Sequence, residues 1–367
     1  MFIKELAVKN FRNYKNLSLE LSSGINLIAG SNATGKSNIL ESISIISNLK
    51  SFRNVPDTEI IKWGENSYFC SLSLGDSSLS KFEIGCTYLS DKIQKKAKID
   101  GIAKKKISEY YGKFLTVIFS PEDINLVTGH PDIRRKFFDA IISKIDTDYL
   151  NSLGEYKKIL ASRNKLLRDI RERKKSSSSE LDIWDNMFAV RAKLILEKRI
   201  EFLDIFNSSF KDSSLQISGD EDSPYIYYNS TLNPGSDIVE ALFARRNKDI
   251  VFGLTGAGPH RDDYIFLNKE GKIFKNSASQ GQKRTAAISL KIAECKFLEQ
   301  ETGEKAVILI DDIFGELDEK RRNKMMDILK NNNQIIITAV NPDIIQKNIS
   351  VNIQKFLVSY GGVIEKS

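Results

Sequence analysis

Apolar and polar residues alternate from Phe2 to Val8 and again from Leu17 to Leu21, with the polar turn Asn10 to Asn16 between them. Alternation at period two puts one face of each segment against a core, so the chain is expected to open as two strands. Ile25 to Ala29 is continuously apolar, as a strand buried on both faces would be, and Ser37 to Ser47 continues as a helix rich in Ile and Leu. Short alternating segments return from Ser51 to Tyr88: TEIIKWG, SYFCSLSLG and SKFEIGCTYL are expected to be strands of a meander. A hairpin signal, Asp100-Gly101, and one more apolar strand, Leu115 to Phe119, complete this region.

The pattern then turns helical for about 130 residues, with helices expected around Ile133 to Ile145, Tyr149 to Lys174 and Ile183 to Phe206. Ile183, Met187, Val190 and Leu194 share one face of the third and are read as core packing. Ser176 to Ser179 is read as a flexible turn, and a Ser/Gly/Asp-rich interval, Ser213 to Ser236, precedes a further helix. The last third adds a helix to about Gln300, an apolar strand ending at Asp311, and a last strand, Gln334 to Ile337. The fold class expected is α/β with an antiparallel β layer, in which residues 1–120 and 251–367 form a nucleotide-binding lobe and 121–250 an inserted, mainly helical lobe.

Composition narrows the setting. A chain of 367 residues, 41% hydrophobic, has room for two lobes. It contains no run of eighteen apolar residues and its charged N-terminus begins a strand, so a soluble cytoplasmic protein without a membrane partner is expected. Three widely spaced cysteines and two histidines speak against a zinc site and for reduced thiols. The net charge of +7 is concentrated: Tyr156 to Lys175 holds nine Lys or Arg, and Lys92 to Lys106 seven Lys. Each run alone reads as a solvated face; beside phosphate chemistry the two also suit nucleic acid.

That chemistry lies in Gly24 to Ser42. Gly30, Gly35, Lys36 and Ser37 satisfy G-x-x-x-x-G-K-[ST] between a strand and a helix. Backbone N–H groups from Gly30 through Ser31, Asn32, Ala33, Thr34 and Gly35 to Asn38 form a concave anion site with the helix N-terminus. Lys36 reaches the β and γ phosphates of ATP, and the Ser37 hydroxyl ligates Mg²⁺. Arg12, in the turn Phe11-Arg12-Asn13-Tyr14, is a candidate for holding base or phosphate. Late in the chain come TGAGPHRDD (Thr255 to Asp263), ASQGQKR (Ala278 to Arg284) and AVILIDDIFGELD (Ala306 to Asp318). A strand ending in Asp311 supplies the carboxylate a phosphate-loop ATPase needs opposite Ser37 for Mg²⁺, and Asp312 is placed to orient attacking water.

In this order the motifs resemble ABC-type ATPase heads, and more closely the RecF family. The particular stretches are FSPEDINLVTGHPDIRRKFFD at Phe119 to Asp139, GPHRDD at Gly258 to Asp263 and SQGQKRT at Ser279 to Thr285, alongside FRNY at Phe11, SFR at Ser51, RNKLL at Arg163 and LIDDIFGELDEKRR at Leu309. The resemblance implies an ABC-type P-loop lobe whose signature residues Ser279, Gly281 and Gln282 touch ATP held by a second copy, giving an ATP-dependent homodimer. It implies a weak DNA-dependent ATPase that clamps gapped or junction DNA, cooperates with RecR and RecO and helps load RecA. Pro121-Glu122-Asp123 stands where related heads carry a Q-loop glutamine, Asp312 where transporters have Glu, and Thr338 follows the last strand where a switch histidine would stand. Lys157, Lys158, Arg163, Lys165, Arg168 and Arg171 are the candidate DNA phosphate contacts. A transporter ATPase would share the ATP motifs without the basic runs, and an SMC-type head would need far longer heptad arms. A metal-dependent nuclease would use Asp262, Asp263, Asp311 and Asp312.

Overall fold

The computed structural model describes residues 1–75, 80–174, 179–219, 224–233, 235–331, 334–341, 353–359 and 364–366. The chain divides into two compact units, one of Met1–Asp123, Gln216–Gly219 and Ile288–Ser367, the other of Ile124–Leu215 and Asp220–Ala287. Residues 251–287, expected in the nucleotide-binding lobe, therefore group with the helical unit.

The first unit opens with β1 (Ile3–Phe11), β2 (Tyr14–Glu20), β3 (Ile25–Ala29), α1 (Lys36–Asn48) and α2 (Asp57–Ile60). β4 (Ser67–Leu74), β5 (Lys81–Leu89), β6 (Lys92–Ile99), β7 (Ile102–Lys104) and β8 (Thr116–Phe119) follow. One sheet is antiparallel throughout, in the order β2-β1-β4-β5-β6-β7. The β6–β7 turn has Asp100 at φ 53° and Gly101 at φ 76°, the pair of left-handed residues that a tight hairpin demands. TEIIKWG departs from its expected strand. Pro56 starts a helical turn, α2, whose Asp57 and Glu59 suit a helix N-terminus, and only Ile61 makes a bridge, to Phe11.

The second unit contains α3 (Ile124–Thr128), α4 (Pro131–Ile145), α5 (Thr147–Arg171), most of α6 (Glu180–Ser218), β9 (Tyr225–Asn229), α7 (Ile238–Phe252), β10 (Asp263–Leu267) and α8 (Phe274–Ser277). α9 (Gln280–Thr302) starts in it and continues into the first unit, which ends with β11 (Val307–Asp311), α10 (Glu319–Leu329), β12 (Ile335–Ala339), β13 (Ile353–Val358) and β14 (Ile364–Lys366). Gln334 to Ile337 is thus not the last strand. In the second sheet of the first unit, ordered β14-β13-β3-β12-β11-β8, β3 lies between β12 and β13 and pairs with both in parallel. α1 packs in a core shared with both sheets, including Ile39, Leu40, Ile43, Leu6, Val8, Cys70, Leu309 and Ile336. Each such aliphatic side chain contributes about 1.5–3 kcal/mol by burial. The buried Gln334 side chain accepts from Ile3 N at 2.9 Å and donates to Ile3 O at 2.9 Å and Ser22 O at 2.7 Å, fixing the N-terminus to the β12 end of the sheet.

In the helical unit the stripe expected to pack faces outward: Ile183 is 63% exposed, Met187 46% and Val190 63%. α6 instead buries Leu181, Asp185, Phe188, Ala192, Ile195 and Arg199, then Phe202 and Phe206. The buried face carries two charged residues that find partners, which hides its period from a hydrophobicity reading. β9, which lies within the Ser/Gly/Asp-rich interval, pairs antiparallel with β10. Of the serine tract, Ser176 to Ser178 lie outside the described residues, and all three cysteines are buried.

Candidate nucleotide site and signature helix

β3 ends at Ala29 and α1 begins at Lys36, so residues 30–35 form the loop between a buried strand and a helix N-terminus. Its shape needs glycine at two places. Gly35 has φ 109°, and a Cβ there would come within 2.8 Å of Asn13 and Tyr14 side-chain atoms; a Cβ on Gly30 would lie 2.4 Å from Val358 O. Thr34 Oγ1 donates to Ser31 O at 2.9 Å, and Lys36 Nζ donates to Gly30 O and Ser31 O at 2.8 Å each. The ammonium therefore lies across the loop. Burial lowers the Lys36 pKa, opposed by Asp312 and Asp311, so both aspartates act on the same ammonium.

Asp311 closes β11 and is buried, with its Oδ1 accepting from Thr338 Oγ1 at 2.8 Å. Thr338 Oγ1 also accepts from Asp312 N at 3.1 Å, so β12 orients both aspartates. Asp312 takes a left-handed conformation, φ 50°, and burial raises its pKa against the pull of Lys36. Among the described residues no three His, Cys, Asp or Glu side chains are grouped to hold a metal. A hydroxyl (Ser37) and one strand-end carboxylate (Asp311) instead suit an ion that takes its remaining ligands from phosphate and water, as Mg²⁺ does. The Asp123 side chain folds back to accept from Ser120 N at 2.8 Å; burial pushes its carboxyl up to about 6, with Lys291 of α9 opposing.

The turn from Asn10 to Tyr14 braces the loop. Asn13 Nδ2 donates to Thr34 O at 3.0 Å, Tyr14 OH to Gly35 O at 3.1 Å and Asn38 Nδ2 to Asn13 Oδ1 at 2.9 Å. Arg12 makes a two-pronged contact with the buried carboxylate of Glu41, Nε at 2.8 Å and Nη2 at 2.7 Å, while Nη1 reaches Glu59 O at 2.8 Å. Ser51 Oγ and Arg53 converge on the same carboxylate, and Arg53 also donates to Asn38. Glu41, and the bracing contacts that Asn13 and Thr338 make, carry no signal of their own in the sequence. Glu41 lay inside an apolar helix run, and only its position between two arginine-bearing motifs hinted at a role.

Ser279 is the N-cap of α9 and is exposed. Its N–H donates to Gln282 Oε1 at 2.8 Å while its Oγ accepts from Gln282 N at 3.2 Å, the reciprocal pairing of a capping box. Thr285 Oγ1 bonds Gly281 O at 2.9 Å. The start of a 23-residue helix is thus presented to solvent with a serine and a glycine at its positive end.

In the helical unit the stretch that holds Arg134 and Arg135 meets GPHRDD. Arg134 grips Asp263 with Nε at 2.8 Å and Nη2 at 2.9 Å, and Arg135 donates to Asp262 O at 2.7 Å. Asp262, fully buried, accepts from Thr231 N, Thr231 Oγ1 and Tyr228 OH. These carboxylates are committed to holding the loop, which removes them from the nuclease reading. Arg163 is likewise no DNA contact. It is fully buried, with Nε 2.6 Å from Asp185, and Nη1 2.9 Å from Asp249 and 2.8 Å from Thr255 Oγ1. Lys157, Lys158, Lys165, Arg168 and Arg171 are exposed and occupy one broad sector of α5, a basic stripe roughly 20 Å long at 1.5 Å per residue.

His260 lies in the same network. Nε2–H donates to Thr255 O at 3.0 Å, which leaves Nδ1 to accept from Tyr156 OH at 2.6 Å. Burial depresses its pKa to about 4, with Arg261 and Arg135 adding to the effect. The native state therefore holds His260 neutral while the unfolded chain protonates it near 6.5. Stability from this group is fully present above about pH 6.5 and is lost as pH falls toward 4, by about 3 kcal/mol at one pH unit per 1.4 kcal/mol. Asp123 acts in the opposite sense over part of that window, so the measurement is a difference: denaturant midpoints from pH 7 to 4.5 should fall less steeply for His260→Gln than for the wild type.

The RecF/RecN/SMC N terminal domain family matches residues 2–359. The chain is 36% identical over 367 residues to the DNA replication and repair protein RecF of Leptospira interrogans serogroup Icterohaemorrhagiae serovar Lai, covering 99% of each chain. It is 39% identical over 340 residues to that of Thermoanaerobacter sp. (strain X514), covering 90% of this chain and 92% of the other. A solved structure of the recombination mediator protein RecF with ATP, in the RecFOR pathway, superposes with a TM-score of 0.89 at 35% identity, covering 100% of this chain and 97% of that one.

Proposed function

Since the chain belongs to the RecF family of DNA replication and repair proteins, we propose that it is an ATP-operated DNA clamp of recombinational repair. The observation that carries this reading is the pairing of a complete phosphate loop with an exposed capped serine, Ser279, at the head of α9. Gly30 to Ser37 wrap the triphosphate, and Lys36 exchanges carbonyl partners for β and γ oxygens. Ser37 and Asp311 hold Mg²⁺, which neutralises phosphate charge when bound. Asp312, oriented through Thr338, positions water. Ser279, Gly281 and the N-terminus of α9 bind the γ-phosphate of ATP on a second copy, so ATP favours a two-fold dimer and hydrolysis releases it. In the absence of a histidine at Thr338 and a glutamate at 312, turnover is slow and depends on DNA.

The exposed basic stripe of α5 supplies phosphate contacts without sequence readout, consistent with gapped or junction DNA as the ligand. RecR and RecO are the protein partners proposed, from the RecFOR context of the ATP-bound relative. No helix among the described residues is long and apolar enough to cross a membrane, in keeping with a cytoplasmic setting.

Light scattering tests the clamp directly. Wild-type protein should double in mass with ATP and Mg²⁺, more readily with gapped duplex, and remain single with ADP. Ser279→Arg should bind ATP with unchanged affinity yet stay single at every nucleotide. A Ser279→Arg protein that dimerises normally would remove the signature role.

A further inference from the structure

Trp63 is 97% exposed, the most exposed large hydrophobic residue among those described. A bare indole leaves on the order of 200 Å² of largely apolar surface in water, and a floppy loop would be the ordinary setting for it. Its turn is instead tightly anchored. Lys62 N donates to Asn10 O at 2.9 Å, Glu65 N to Lys62 O at 3.0 Å, and Tyr88 N to Asn66 O at 2.8 Å. Side chains reinforce it, with Lys62 Nζ on Asn13 O at 2.9 Å and Asn10 Nδ2 on Glu65 at 3.1 Å. The next residue, Gly64, has φ 84°, and a Cβ built there would meet nothing within 4 Å.

The anchor is the same Asn10–Asn13 turn that bonds the phosphate loop at Thr34. One hydrogen-bonded chain runs from the loop, through Asn13, to the turn that carries Trp63, and two left-handed residues, Asn10 and Arg12 at φ 52°, hold its shape. We infer that Trp63 is the platform on which the purine base of the bound nucleotide stacks. A rigid aromatic face costs little order on binding, and base stacking is worth roughly five- to 150-fold in affinity. The inference rests on the ATP reading of the phosphate loop.

The chain has two tryptophans, and Trp184 packs half-buried on Leu166, Leu167 and Leu181 in the helical unit. Trp184→Phe therefore leaves Trp63 as the sole reporter. Its emission should be quenched by ATP and unaffected by inorganic tripolyphosphate. In calorimetry, Trp63→Ala should weaken ATP about tenfold and tripolyphosphate not at all, and Trp63→Phe should restore ATP to within about threefold of wild type. Unchanged emission with bound ATP, unchanged ATP affinity in Trp63→Ala, or an equal loss for tripolyphosphate would each overturn the platform while leaving the phosphate loop standing. Failure of wild type to bind either ligand would overturn both.

Discussion

Lys36→Met should weaken ATP binding at least a hundredfold, as measured by calorimetry with Mg²⁺, while the thermal midpoint moves little. Charge-assisted hydrogen bonds are worth about 1.5–3 kcal/mol each, and Nζ is placed to make more than one to the β and γ phosphates. The substitution removes the cation but keeps the apolar stem that fills the space below the loop. It also deprives Asp312 of the charge that opposes the burial-driven rise in its pKa, so Asp312 becomes more readily protonated in the variant. A residual affinity within threefold of wild type would mean the loop is not the triphosphate site. ATP-dependent doubling of mass should vanish with binding, whereas in Ser279→Arg it vanishes with binding intact, and the contrast separates holding the nucleotide from reading it across a dimer.

The second large effect is on stability. Arg163→Met should cost about 3–5 kcal/mol, the usual penalty for stranding buried carboxylates, because Asp185 and Asp249 each lose a fully buried partner. Arg246 continues to hold the other oxygen of Asp185, so Asp249 and the Thr255 hydroxyl carry most of the loss. Urea unfolding followed by circular dichroism gives the number. By comparison, Lys165→Met on the exposed stripe should change stability by less than about 0.5 kcal/mol. Equal effects from the two would contradict the burial of Arg163.

The contrast between these two residues shows what the sequence could and could not disclose. The phosphate loop was readable because its chemistry requires glycine, lysine and serine at fixed spacing between a strand and a helix. The strand ending at Asp311 was readable because four apolar residues before two carboxylates have few other uses. Arg163 and Lys165 stand two apart in one basic run, and only the helix phase, fixed by which side of α5 meets Asp185 and Asp249, sends one inward and the other to solvent. Asp185 and Arg199 disguise the buried face of α6 for the same reason: paired charges have no signature in a hydrophobicity pattern. Glu41 and Thr338 act through contacts with residues distant in sequence, which no local pattern contains.

The position of β3 has a consequence for how the protein is made. The strand leading into the phosphate loop leaves the ribosome long before either of the strands that flank it, β12 and β13. About three hundred residues separate them, which at roughly 5–20 residues per second is a wait of about 15–60 s. Throughout that interval Ile25 to Ala29 is an apolar strand with no lateral partner, and Gln334 has not yet arrived to fasten Ile3. A nascent chain halted between α1 and β12 therefore holds every residue of the phosphate loop and the Asn10–Tyr14 turn that braces it, but neither of the strands that flank β3. Such fragments should be clients of chaperones and proteases rather than competitors for ATP.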